Sequence, residues 1–172
     1  MTGPTTKKAR KRWPDAWISS VAWISSAAWI GPNAWIGPDA WIGCGATIGP
    51  DAWIGPGAVI DSGAVIDPGA RIDSGAVIDS GAVIDSGAVI CSGAVIGSGR
   101  CGVTQACHIA GMNDWGVTGF TCDDGLIITI GCMNDRRGLP PDETLGLIYE
   151  KYGPQHIYVS IIMLIEEWAA SL

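Results

Sequence analysis

Cys101, Cys107, His108, Cys122 and Cys132 fall in one stretch of the chain. Thiolates with an imidazole are the ligand set of a structural zinc site. The spacing speaks against that chemistry. Five, fourteen and nine residues separate the successive cysteines, whereas structural zinc sites are built on a close Cys-x2–4-Cys pair. Free cysteine packs as a small hydrophobe and is among the most buried residue types, so core thiols are expected, with no metal and no cofactor. The two histidines are the other candidates. His108 follows Cys107, and His156 opens "HIYVSIIMLIEEWAASL". A histidine beside a strand end packs or caps as readily as it serves as a general base. The chain has no Gly-rich phosphate loop and no Ser/His/Asp set, so no catalytic residue is assigned.

A second group of reactive surfaces is aromatic. Trp17, Trp23, Trp29, Trp35, Trp41 and Trp53 recur in steps of six or twelve, each between an Ala and an Ile. The element that places them is a repeat. From Ala16 to Gly99 the chain writes fourteen hexads with Ala first and Ile third, and self-similarity at a fixed period decides architecture. Alternation along Ala-x-Ile sends Ala and Ile to one side of a short strand and the middle residue to the other. Gly-Pro-Asp, Gly-Pro-Gly or Asp-Ser-Gly follows and bends the chain. So short a strand cannot bury itself, so the units must stack into a parallel β-solenoid. A narrow interior of constant section needs constant volume, which Ala and Ile supply and a Trp/Val/Thr/Arg position does not. The Trp residues therefore face out.

These fourteen hexads resemble the hexapeptide-repeat family. The resemblance implies a left-handed parallel β-helix with three hexads per triangular coil, so that residues eighteen apart lie above one another. Three outward rows follow: Trp17, Trp35, Trp53, Arg71, Val89; then Trp23, Trp41, Val59, Val77, Val95; then Trp29, Thr47, Val65, Val83. Such apolar strips exceed what a soluble monomer exposes. Side-by-side association is expected, as a homotrimer common in this family, through Trp17, Trp23, Trp29, Trp35, Trp41, Trp53, Val59, Val77 and Val95. A flat Trp ladder could instead meet a further protein or stack on a glycan. Asp61 over Asp79 and Asp67 over Asp85 read as solvated corners.

Composition and charge frame these readings. The 172 residues carry a net charge of −7, yet "KKARKR" (Lys7 to Arg12) holds five of the ten basic residues. Residues 16–99 hold seven Asp against one Arg. The basic stretch is expected to protect the first coil's open edge, and nucleic acid is not an expected partner. No apolar run is long enough to span a bilayer and no signal-peptide core follows the basic stretch. The chain reads as soluble and cytoplasmic in a bacterial host, or virion-associated, with free thiols.

Beyond Gly99 the frame frays, with Gly102 and His108 in place of the inner Ile. "VTGFTCDDGLIITIGC" reads as two strands around Asp123-Asp124-Gly125. "DETLGLIYEKYG" reads as a helix, and "HIYVSIIMLIEEWAASL" as a second helix, apolar nearly all round through Leu164 and so buried against the hairpin or a partner. Residues 106–170 also resemble a module found in bacteriophage and prophage proteins of unassigned function. The expected organisation is a basic tail (1–15), a hexapeptide-repeat β-helix (16–105) and a C-terminal ββαα cap (106–172). The fold class is mainly β: a left-handed parallel β-helix capped by a small α+β module.

Acyltransferases of the resembled family use a histidine base at a subunit boundary, often beside an extruded loop. Residues 16–99 contain neither histidine nor loop. The expectation is therefore a non-catalytic structural or interaction protein, phage-encoded and not an enzyme. An acyltransferase-like enzyme is the alternative.

Overall fold

The structure, a computed structural model, describes residues 11–99, 102–109, 117–122, 125–130, 139–152 and 157–172. Through the repeat, each Ala-x-Ile forms a two-residue strand. These are β1 (Trp17–Ile18), β2 (Trp23–Ile24), β3 (Trp29–Ile30), β4 (Trp35–Ile36), β5 (Trp41–Ile42), β6 (Thr47–Ile48) and β7 (Trp53–Ile54). They continue as β8 (Val59–Ile60), β9 (Val65–Ile66), β10 (Arg71–Ile72), β11 (Val77–Ile78), β12 (Val83–Ile90) and β13 (Val95–Ile96). β12 runs through a corner and serves two hexads. From β1 to β9 each strand pairs in parallel with the strand three further on, and β10 and β11 pair with β12 and β13, so the offset stays eighteen residues: Trp17 lies opposite Trp35, Trp35 opposite Trp53 and Val77 opposite Val95. The rows β1-β4-β7-β10-β12, β2-β5-β8-β11-β13 and β3-β6-β9-β12 form three flanks. The chain is thus mainly β, a parallel solenoid of about five turns with few helices, consistent with a left-handed β-helix.

Burial follows the alternation. The hexad isoleucines from Ile18 to Ile96 are at most 3% exposed, and the alanines from Ala28 to Ala94 at most 5%. The corners explain the rest of the hexad. Its sixth residue takes a left-handed conformation from the third hexad on, with φ of 59° at Asn33, 56° at Asp39 and 58° at Asp51. Glycine fills the other such corners. Only Gly, Asn and Asp visit that region cheaply. The first two corners use serine instead: the Ser19 and Ser25 hydroxyls accept the N–H groups of Val21 and Ala27 at 3.5 and 3.4 Å.

Both ends of the prism are closed. Trp13, 8% exposed, joins the Ala/Ile core at the N-terminal end. At the other end β14 (Val103–Ile109) lies parallel on β12, with Val103 opposite Ile84 and Ala106 opposite Ile90. This corrects the reading of Gly102 as the residue replacing an inner Ile. Gly102 turns with φ 67°, and the one-residue slip puts fully buried Val103 in the inner place. β15 (Val117–Cys122) and β16 (Gly125–Ile130) then extend the same sheet antiparallel. Phe120, with no exposed surface, enters the core. Asp123 and Asp124, the residues read as the turn, lie outside the described residues.

Helices α1 (Pro141–Tyr152) and α2 (Ile157–Ala170) pack on the outer side of that hairpin. Proline at the first helical position and Asp142 and Glu143 in the first turn suit a helix N-terminus. Ile128, Ile148, Val159, Ile161, Ile162 and Ile165 form a second, smaller core. Gly119 makes room for it, because a Cβ there would fall on the Ile165 side chain. Helix α2 is buried against the hairpin, as expected, along a stripe that includes Val159, Ile161, Ile162 and Ile165, while Met163 and Leu164 are exposed. A stripe of that width is what a helix lying on a sheet needs.

Candidate functional site: the tryptophan flanks

The pleat turns each middle residue outward, and the parallel register stacks it on its counterpart one coil away. Trp17 and Trp35 stack with ring centroids 4.9 Å apart and planes 3° from parallel. Trp35 and Trp53 repeat this at 4.9 Å and 8°. The Arg71 guanidinium covers the next ring, 4.7 Å from the Trp53 centroid. Its Nε donates to Asp73 Oδ1 at 2.8 Å. One flank therefore carries a continuous ladder of three indoles closed by an ion-paired arginine. The second flank is looser, with Trp23 and Trp41 at 6.1 Å and 18°, followed by half-buried Val59, Val77 and Val95. Trp29 stands alone above Thr47 on the third.

About half the surface of Trp17, Trp23, Trp29 and Trp41 is exposed (48–50%), while Trp35 and Trp53 are partly covered by their neighbours. In the first row the ring faces are turned to one another, so their edges project. A sugar ring stacks on an open aromatic face, and this stack offers few.

Arg71 and Asp73 were not singled out as a pair from the sequence. The available signal was that Arg71 is the single basic residue in residues 16–99. A parallel case lies at the N-terminal end, where the Arg12 guanidinium sits 4.9 Å over the Trp13 ring and donates to the Ser26 carbonyl. A depression of about 220 Å³ lies there between Trp13 and the Ile30–Pro32 corner, smaller than ordinary small-molecule sites. Lys7 to Arg10 lie outside the described residues.

The corner aspartates are not all solvated as read. Asp79 is 6% exposed, and Asp61, Asp67, Asp73 and Asp85 are half-buried. Stacked coils cover one another's corners, and that removes water from side chains placed between them.

Among the described residues no group of three or more His, Cys, Asp or Glu is placed to hold a metal. Cys44 is exposed, and Cys91 and Cys122 are half-buried. The Cys122 thiol donates to the Gly125 carbonyl at 3.6 Å. Cys107 and His108 lie on β14 opposite Gly119 and Thr118. Cys101, Cys132 and His156 lie outside the described residues. No helix among those described is long and apolar enough to cross a membrane.

Comparison with known proteins adds the class of the repeat. Residues 33–68 match the family model "Bacterial transferase hexapeptide (six repeats)". No curated protein matches the chain. Solved structures that match include the acetyltransferase domain of PglB from Neisseria gonorrhoeae FA1090 in complex with acetyl coenzyme A. That match is at 19% identity and TM-score 0.38, over 50% of this chain and 52% of the other. Another is a variant of GDP-perosamine N-acetyl transferase from Caulobacter crescentus in complex with CoA and GDP-perosamine. It matches at 19% identity and TM-score 0.32, over 56% of this chain and 57% of the other. The chain spans about half the length of these structures.

The family match corrects two expectations, that the chain is a non-catalytic structural or interaction protein and that it is not an enzyme. The model its coils match is a transferase model, which is the alternative given above. The family match covers residues 33–68 and does not extend to residues 106–172.

Proposed function

We propose that this chain is an acyltransferase-like enzyme of the hexapeptide-repeat type, taking its acyl group from an acyl-CoA thioester. The match of residues 33–68 to a transferase repeat carries the reading. The reaction class follows from the donor. A nucleophilic amine or hydroxyl attacks the thioester carbonyl, a C–N or C–O bond forms, the C–S bond breaks and the thiol leaves. A base must take the acceptor's proton, and histidine is the side chain best matched to that task near neutrality. The chain has only His108 and His156 to offer. Both lie outside the repeat in sequence, and His108 belongs to β14, the strand that closes the prism, so a base at His108 would place acyl transfer beside that closure rather than midway along the prism.

We propose also that protomers associate side by side as a homotrimer on the outward Trp and Val rows, since so much apolar flank favours cover. The division at 105/106, the phage origin of residues 106–170 and a bacterial cytoplasmic location, where acyl-CoA is available, belong to the same proposal. Following free thiol from acetyl-CoA with amine and hydroxyl acceptors tests the chemistry. Release should fall at least ~100-fold in His108→Ala or in His156→Ala with the circular dichroism spectrum unchanged. Equal rates in both variants and in the wild type would remove histidine as the base.

A further inference from the structure

We propose that the flank carrying Trp17, Trp35, Trp53 and Arg71 is the contact surface for a second copy of this chain, with Arg71 of one copy set against an acidic corner of the other. This rests on the self-association proposed above and is independent of the acyl-transfer chemistry. Three observations single out this flank from the other two.

The first is order. Its indoles are stacked at 4.9 Å and within 8° of parallel, and the last ring is covered by Arg71. Side chains already held in one arrangement lose little freedom on binding, and fixed aromatic anchors dominate interface energy. The second flank has one looser pair and the third a single Trp. The second observation is shape. Because the ring faces are used up within the row, what projects is a ribbed apolar surface of ring edges repeating at the coil spacing. A flat ligand finds few open faces there, whereas a flank with the same repeat can interdigitate with it.

The third observation is charge. Seven Asp and one Arg lie in residues 16–99, so two prisms laid side by side bring acidic corners together. Like charges in close approach oppose association unless a cation lies between them. Arg71 is the cation that the flank supplies. Its side chain is 57% exposed even while paired with Asp73, which leaves guanidinium donors for a second carboxylate. The aromatic ladder supplies the attraction, and Arg71 fixes which coils face each other.

Sedimentation equilibrium at micromolar concentration tests this on the wild type and three variants, each checked for an unchanged β spectrum. The first variant combines Trp17→Ser, Trp35→Ser and Trp53→Ser. It should weaken association at least ~100-fold, whereas Trp23→Ser with Trp41→Ser changes it less than about threefold. Arg71→Glu should weaken it about tenfold with the fold intact, by setting a further carboxylate against the partner's corner. If the triple variant does not fold, Arg71→Glu decides. A monomeric wild type, a flank-two variant as damaging as the ladder variant, or an Arg71→Glu protein that associates like the wild type would each overturn the proposal. Acetyl-CoA binding, measured on the same samples, separates these outcomes from any failure of the enzymatic reading.

Discussion

From the third hexad on, position six turns with positive φ, and from Gly31 to Gly55 position four lets the next coil come close. These are different demands on one amino acid. At Gly63, φ is +72° and a Cβ would meet nothing within 4 Å, so Gly63→Ala should cost only the backbone term, about 1–2 kcal/mol. At Gly49 a Cβ would lie 2.6 Å from the Pro68 nitrogen, so Gly49→Ala should cost more, ~3 kcal/mol or above, because whole coils must separate. Denaturant midpoints of the two variants check the order. The inside/outside assignment is tested the same way. Ile78, with no exposed surface, should not tolerate a carboxylate, and Ile78→Asp should lose ~4 kcal/mol or more. Val77→Asp, one residue away and half-buried on the flank, should leave the fold intact with a loss of about 1 kcal/mol. Equal losses would overturn the inside/outside assignment. The inner Ala and Ile were legible in the sequence, because they repeat their physical reason in all fourteen hexads.

At the scale of elements, legibility fades where the repeat stops. The strands, their parallel pairing and the eighteen-residue offset follow from periodicity and from the family resemblance together. The hairpin followed from apolar runs around a turn signal. The slip at Gly102 did not, because one extra residue with positive φ looks like any other Gly until its neighbour's burial is known. The exposure of Met163 and Leu164 was equally hidden: the helix is apolar on more of its surface than the hairpin can cover. The same closure gives Phe120 its importance. It is the one Phe of the chain, and it sits where the last coil would otherwise expose Ala and Ile. Phe120→Ala should therefore cost about 3–5 kcal/mol, read as a lower midpoint in thermal or denaturant melts, with a β spectrum retained at low temperature. A loss below 1 kcal/mol would mean that the prism end closes without it.

At the scale of the molecule, a stacked prism offers long flanks and very little concave surface. Its chemistry therefore has to arise where flanks meet each other or where the repeat is closed. The Trp rows were legible as outward rows, but their mutual stacking was not, and that geometry turned a platform for flat ligands into a ribbed surface for another flank. The placement of both histidines beyond the repeat was legible from the start and was weighed against catalysis. The match of the central coils to a transferase model reverses that weight. Acyl-CoA binding tests the reading most directly, because it requires no knowledge of the acceptor. Calorimetric titration of the folded wild-type protein with acetyl-CoA should show saturable binding at one site per chain in the micromolar to millimolar range of ordinary enzyme substrates. The absence of any heat of binding up to several millimolar donor, in protein whose β spectrum and melt are those of an intact solenoid, would contradict it.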